Sequence, residues 1–156
     1  MRKVSVLLAT LGLVAAGVLF PVTSAQASIN CDAEWRDASS GYFYAYDYLN
    51  CDNTLGKDSG NDSNWGDVAG GFQSSDSNNA SSLLHKGSSG MAVKVYDKTG
   101  YAGAYSCIKK SEYYVSNLQD DHLTGGGPGS GSVEASNTIS SHKWVEESSC
   151  GGAFLH

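Results

Sequence analysis

The amino-acid sequence predicts an all-β fold, a sandwich or barrel of short strands, and three observations carry that prediction. Apolar and polar residues alternate over short segments, as in Met91-Ala92-Val93-Lys94-Val95-Tyr96, where Met91, Val93 and Val95 share one face. Clusters of Gly, Asn, Asp and Ser separate these segments and mark turns. No long stretch places apolar residues at helical spacing. The chain has 156 residues, 40% of them hydrophobic, enough for one domain with a modest core or two very small ones. Only 17% are charged and the net charge is −6, which argues against an electrostatic nucleic-acid binder.

The N-terminus is not expected to enter the fold. Arg2 and Lys3 precede an apolar run from Val4 to Phe20, and Ala25-Gln26-Ala27 offers a small-x-small cleavage site. A secretory signal over residues 1–27 is expected, leaving residues 28–156 as a single extracellular domain without a membrane attachment. The apolar run is at the short end of what a bilayer needs. Gly41-Tyr42-Phe43-Tyr44-Ala45-Tyr46-Asp47 follows as a strand, with Tyr42, Tyr44 and Tyr46 on one face and Phe43 and Ala45 on the other. The Met91–Tyr96 strand comes next, then shorter candidates at Tyr105–Ile108, Tyr113–Val115 and Lys143–Val145. Gly87-Ser88-Ser89-Gly90 reads as a linker, Gly125–Gly131 as a flexible connection, and Gly152–His156 as a loose tail.

Export makes the cysteines legible. Cys31, Cys51, Cys107 and Cys150 are an even set in an oxidising compartment, so two disulfides are expected. Three pairings are possible. Cys31–Cys51 with Cys107–Cys150 is preferred because each bond then staples one half of the molecule, contributing roughly 3 and 4 kcal/mol. The spacing lacks the Cys-x-x-Cys pattern of a zinc site.

A duplication organises the chain. Ser77-Asn78-Asn79-Ala80-Ser81-Ser82 returns as Ser136-Asn137-Thr138-Ile139-Ser140-Ser141, each copy following a strand that ends in Tyr-Asp, at Tyr46-Asp47 and Tyr96-Asp97. Two units result, about 41–87 and 90–146. The segment from Val93 to Gly103 resembles the βγ-crystallin Greek-key signature: an apolar strand, an aromatic and an acidic residue (Tyr96, Asp97), then a second aromatic (Tyr101) and a glycine (Gly103). The resemblance implies a two-unit Greek-key sandwich in which Tyr96 and Tyr101 stack across a folded hairpin. It also implies that the last Ser of each hexapeptide ties a later strand to that hairpin. The first unit departs from the signature, with Cys51 at the second aromatic and Asn53 at the glycine. Asn is the next-best residue for positive φ, and a disulfide can replace the aromatic stack.

The chemistry of the chain is sparse. No hydrolase, metalloprotease, phosphate-loop or EF-hand pattern is present, His85, His122, His142 and His156 show no metal spacing, and no catalytic residue is expected. His85-Lys86 and His142-Lys143 read as edge-strand surface residues, and Asp120-Asp121-His122 as a solvated loop. Calcium-binding βγ-crystallins, by resemblance, use the hexapeptide for ligands, here Asn78, Ser81, Asn137 and Ser140. Ser77 and Ser136 replace the first acidic or amide residue, so calcium is expected to bind weakly, if at all, and no other cofactor is expected. Tyr42, Tyr44, Tyr46 and Tyr48 could form a sugar-stacking stripe, or alternate toward a core.

Three functions compete. The chain resembles small microbial metalloproteinase inhibitors of the crystallin fold in size, export signal and cysteine use, which implies a monomeric inhibitor of an extracellular, thermolysin-like peptidase. A calcium-binding extracellular crystallin and a secreted antimicrobial toxin of the same fold are the alternatives. Thermolysin-like peptidases prefer a bulky apolar residue just after the bond they cut, so an inhibitor must present one on a rigid segment. Cys107-Ile108, followed by Lys109-Lys110, is the candidate contact. Ile108 also suits the inward position that closes the hairpin, which is the preferred reading, and in that case residues 117–134 are the next place to look.

Overall fold

The computed structural model describes residues 27–127 and 131–156, so the expected leader falls outside the described residues except for Ala27. Its elements are a helix α1 (Ala27–Asp37) and nine strands: β1 (Phe43–Tyr46), β2 (Thr54–Asp58), β3 (Ser82–His85), β4 (Ala92–Lys98), β5 (Ala102–Ile108), β6 (Tyr114–Val115), β7 (His122–Leu123), β8 (Val133–Glu134) and β9 (Ser141–Val145). They form a four-stranded sheet in the order β2-β1-β3-β6, a three-stranded sheet β5-β4-β9 and a small β7-β8 ribbon, with every strand pair antiparallel.

The connectivity is Greek key twice over. In each unit two strands form a hairpin, a following segment crosses to the other sheet (β6 in the second unit, only an isolated bridge at Asp62 in the first), and a last strand returns beside the first. Thus β6, from the second unit, pairs with β3 of the first. Reciprocally, Asp62 of the first unit bridges His142 in β9 through two backbone hydrogen bonds of 3.0 and 2.8 Å. Alternation decides what lies between the sheets. Phe43 and Ala45 from β1, Leu83 from β3, Val93 and Val95 from β4 and Ile108 from β5 all point inward, joined by Trp65, Phe72, Leu118 and Ile139 from the connections. Full burial of such side chains stabilises by about 1.5–3 kcal/mol each.

Three expectations are corrected. The helix was not legible, because its sequence ASINCDAEWRD carries only Cys31 and Trp35 at helical spacing within a mostly polar segment. It is held from outside: Cys31 is bonded to Cys51, the Tyr114 hydroxyl donates to Asp32 at 2.7 Å, and Lys86 lies 3.3 Å over the Trp35 ring. The tail is not loose. Leu155 is fully buried, Cys107 N–H donates to Ala153 O and Leu155 N–H to Cys107 O, each at 2.9 Å, so residues 153–155 extend the edge of β5. His85 and His142 are not surface residues; both are buried inside their strands.

Both disulfides have the expected pairing, Cys31–Cys51 across a separation of 20 residues and Cys107–Cys150 across 43. No helix among the described residues is long and apolar enough to cross a membrane.

Candidate functional site

The two hexapeptides lie at the seam between the units, and their geometry follows from the hairpins they hold. In the second unit the chain turns through Gly100 and Tyr101 at positive φ (70° and 60°) and through Gly103 at 82°. A Cβ at Gly103 would collide with the Asp97 carboxylate, so glycine is required there. Tyr96 and Tyr101 meet at 5.9 Å between ring centroids. The Ser141 hydroxyl donates to Lys98 O at 2.6 Å and accepts the Tyr101 N–H at 3.2 Å, tying β9 to the hairpin. The first unit repeats this with other residues. Asn50, Cys51 and Asn53 take positive φ (62°, 59° and 56°). Ser82 donates to Tyr48 O at 2.7 Å and accepts the Cys51 N–H at 2.9 Å. The Cys31–Cys51 bond stands where the second unit has its tyrosine pair.

Across the seam the copies exchange hydrogen bonds: Asn78 N–H donates to Ile139 O and Asn137 N–H to Ala80 O. At Ser140 four oxygens converge, its own hydroxyl included. Its hydroxyl lies 2.9 Å from Asn78 Oδ1, 3.2 Å from the Asp97 carbonyl and 3.3 Å from the Ser77 hydroxyl. The related place holds Asn137 beside a buried Ser81, and the Ser136 hydroxyl there is buried without a hydrogen-bond partner. The first set is all hydroxyl, amide and carbonyl. No group of three His, Cys, Asp or Glu side chains suited to a metal lies together among the described residues.

The expected inhibitory segment is not presented. Cys107 and Ile108 sit in β5 with no exposed surface, and Ile108 faces the core opposite Val93. The physical reason is register: residues alternate along β5, so Ile108 shares the inward face with Ser106 and Ala104, while Cys107 turns outward under Cys150. The tyrosine stripe is also covered. Tyr44 and Tyr46 pack with Leu84, Cys31 and Cys51 in a second small core beneath α1, and only Tyr48 stays exposed. Asp121 is buried rather than solvated and accepts the His156 N–H at 3.2 Å; burial pushes its carboxyl above the usual carboxylate range.

Among the described residues the most exposed large hydrophobic side chain is elsewhere. Val68 is 84% exposed, at the tip of a turn between Gly66 and Gly71. Several hydrogen bonds brace the turn. Ala69 N–H donates to Asp67 Oδ1 at 2.7 Å, Ser74 N–H to Asp67 O at 3.0 Å, and the Gln73 amide to Val68 O and Gly70 O at 3.1 and 3.3 Å. Beneath it the Asp58 and Asp62 carboxylates accept the Gly71 and Phe72 N–H groups. Trp65 and Phe72, stacked at 4.1 Å, anchor both ends in the core. Sequence reasoning missed Val68 because nothing local distinguishes an isolated valine in a Gly-Asp-rich loop from a core residue.

No protein-family model matches the chain, and no curated protein does. One solved structure, described as "Evolution of the eye lens beta-gamma-crystallin domain fold", is similar at a TM-score of 0.52 and 15% identity, over 70% of this chain and 89% of that one. The likeness shows the fold: this is a βγ-crystallin-like sandwich of two Greek-key units.

Proposed function

We propose that the protein is a secreted peptidase inhibitor, acting on thermolysin-like metalloproteinases by occupancy and not by catalysis, with the turn around Val68 as its contact. The observation that carries the reading is an exposed apolar side chain on a turn whose flanking backbone is hydrogen-bonded at Asp67, Val68 O and Gly70 O. A peptidase that prefers a bulky apolar residue after the cut bond would place Val68 in that pocket and the Asp67–Val68 bond at its centre. The Gln73 amide on the Val68 carbonyl and the braces at Asp67 keep the two ends together, which favours rebinding over release. Two disulfides and the expected leader suit an extracellular setting.

The test is titration of a thermolysin-like peptidase with the secreted protein, expecting stoichiometric inhibition. Val68→Asp removes the apolar anchor and should weaken inhibition by about 30-fold or more, the effect of losing a contact of about 2 kcal/mol, with an unchanged melting temperature. Absence of inhibition at stoichiometric protein, or inhibition indifferent to Val68→Asp, overturns the reading.

A second reading is a weak calcium site, favoured by the four oxygens at Ser140. A site with no carboxylate among those contacts should bind in about the 10⁻⁴–10⁻³ M range of extracellular modules. Calcium should therefore raise the melting temperature only at millimolar concentration, and submicromolar affinity by titration calorimetry would contradict this.

A further inference from the structure

A cleft of about 360 Å³ opens where the two units meet. Gly41, Gly60 and Asn61 of the first unit form one side, Ser88 and Ser89 of the linker another, and Trp144 of β9 the wall between them. We infer that this cleft binds a neutral saccharide, one or two rings of an extracellular glycan, against the Trp144 indole.

The chemistry of the lining selects that class. None of the lining side chains ionises, in a chain whose net charge is −6, so the cleft offers nothing to balance a charged ligand. It offers hydroxyls, an amide and glycine backbone for hydrogen bonds, together with one large aromatic ring. A sugar ring has the matching character, hydroxyls around its rim and a patch of C–H groups on its face. The volume is at the lower end of small-ligand sites, about 300–1,000 Å³.

The wall is also preorganised. Trp144 N–H donates to Asn61 Oδ1 at 2.9 Å, which fixes the strand and leaves the Asn61 amide to donate elsewhere. His85 packs edge-on against the indole, 5.1 Å between centroids at 89°. Both of its nitrogens are engaged: Gly87 N–H donates to Nδ1 at 3.1 Å, and Nε2–H donates to Met91 O at 2.8 Å. A Cβ at Gly87 would collide with both rings, so glycine lets the linker pass tightly behind them. The indole Nε1–H is buried and has no partner in the protein, an unmet donor on the residue that forms the wall.

The test is a titration of the ¹⁵N-labelled secreted protein with glucose, galactose and N-acetylglucosamine, and separately with glucuronate, followed through the tryptophan indole signals. Trp144→Phe assigns the Trp144 signal. At least one neutral sugar should move it saturably while the Trp35 and Trp65 signals stay put. Ser88→Trp, at an exposed position on the rim, should fill the cleft and weaken that sugar by about tenfold or more without lowering the melting temperature. The inference is overturned if no neutral sugar shifts the Trp144 signal up to tens of millimolar, if all three indoles shift alike, if Ser88→Trp leaves binding intact, or if glucuronate binds better than the neutral sugars. Peptidase inhibition is read separately, so either result stands without the other.

Discussion

His142 shows how one buried side chain sets the acid limit of the fold. Its Nδ1 accepts the Trp65 indole N–H at 2.9 Å, which places the proton on Nε2, where it donates to Gly60 O at 3.1 Å. Burial among Phe43, Trp65 and Phe72 pushes its pKa down to about 4, against 6.5 for an exposed imidazole. The unfolded chain therefore takes up a proton that the folded one refuses. The stability from neutral His142 is complete above pH 6.5 and is lost as the pH falls from 6.5 toward 4, by about 3 kcal/mol in all. Asp62 and Asp121 oppose it in sign, because burial raises their carboxyl pKa and they bind protons more readily in the fold. His142 is isolated by titrating its ring carbons by NMR, with an expected midpoint near 4 and a neutral Nε2–H tautomer. The first unit has Leu83 at the related position, so His142→Leu is the matched variant; its melting temperature should fall less than that of the parent between pH 6.5 and 4.5.

At the scale of elements, the C-terminal segment behaves as a short strand without a helix or sheet of its own. Leu155 contributes a fully buried side chain to the main core, and two backbone bonds fasten its neighbours to Cys107. Cys150 pins the start of the segment to β5 through the disulfide. Leu155→Ala should destabilise the protein by about 2–5 kcal/mol in urea unfolding, the range for a large-to-small change in a core. A tail that only fringed the surface would give a change within about 0.5 kcal/mol. Helix α1 is the opposite case, polar in sequence and held by Cys31–Cys51. Its removal would expose Tyr44, Tyr46 and Leu84 as an apolar sheet face.

Over the whole molecule, the exchange of crossing segments makes the units interdependent. The first sheet takes β6 from the second unit, and β9 takes its outer neighbour, Asp62, from the first. Trp65 and Phe72 of the first unit pack on His142 of the second. Neither half can complete a sheet or close the core alone. Residues 28–89 and 90–156 expressed separately should therefore stay unfolded by circular dichroism and NMR, and the intact chain should unfold in one cooperative transition. Two resolved transitions, or a folded half, would contradict this.

Local chemistry was enough to determine a good part of this protein. Alternation in Tyr42–Tyr46 and Met91–Tyr96 located β1 and β4 and sorted their faces correctly, because side-chain direction in a strand depends only on the sequence of neighbours. Tyr96, Tyr101 and Gly103, with the serines at 82 and 141, identified the hairpins and their ties, because positive φ and a hydroxyl bond restrict which residues serve. Asn78 and Ser140 were legible only as candidate ligands of separate hexapeptides; that they meet across the seam is a tertiary fact. What covers a face is not a local property. Only the tertiary structure laid α1 over Tyr44 and Tyr46, decided between the two readings of Ile108 and docked Leu155. It also left Val68 in solvent and set Trp144 at the edge of a cleft. Each of these depends on which segment the folded chain brings against another, and that is not encoded in the local pattern of residues.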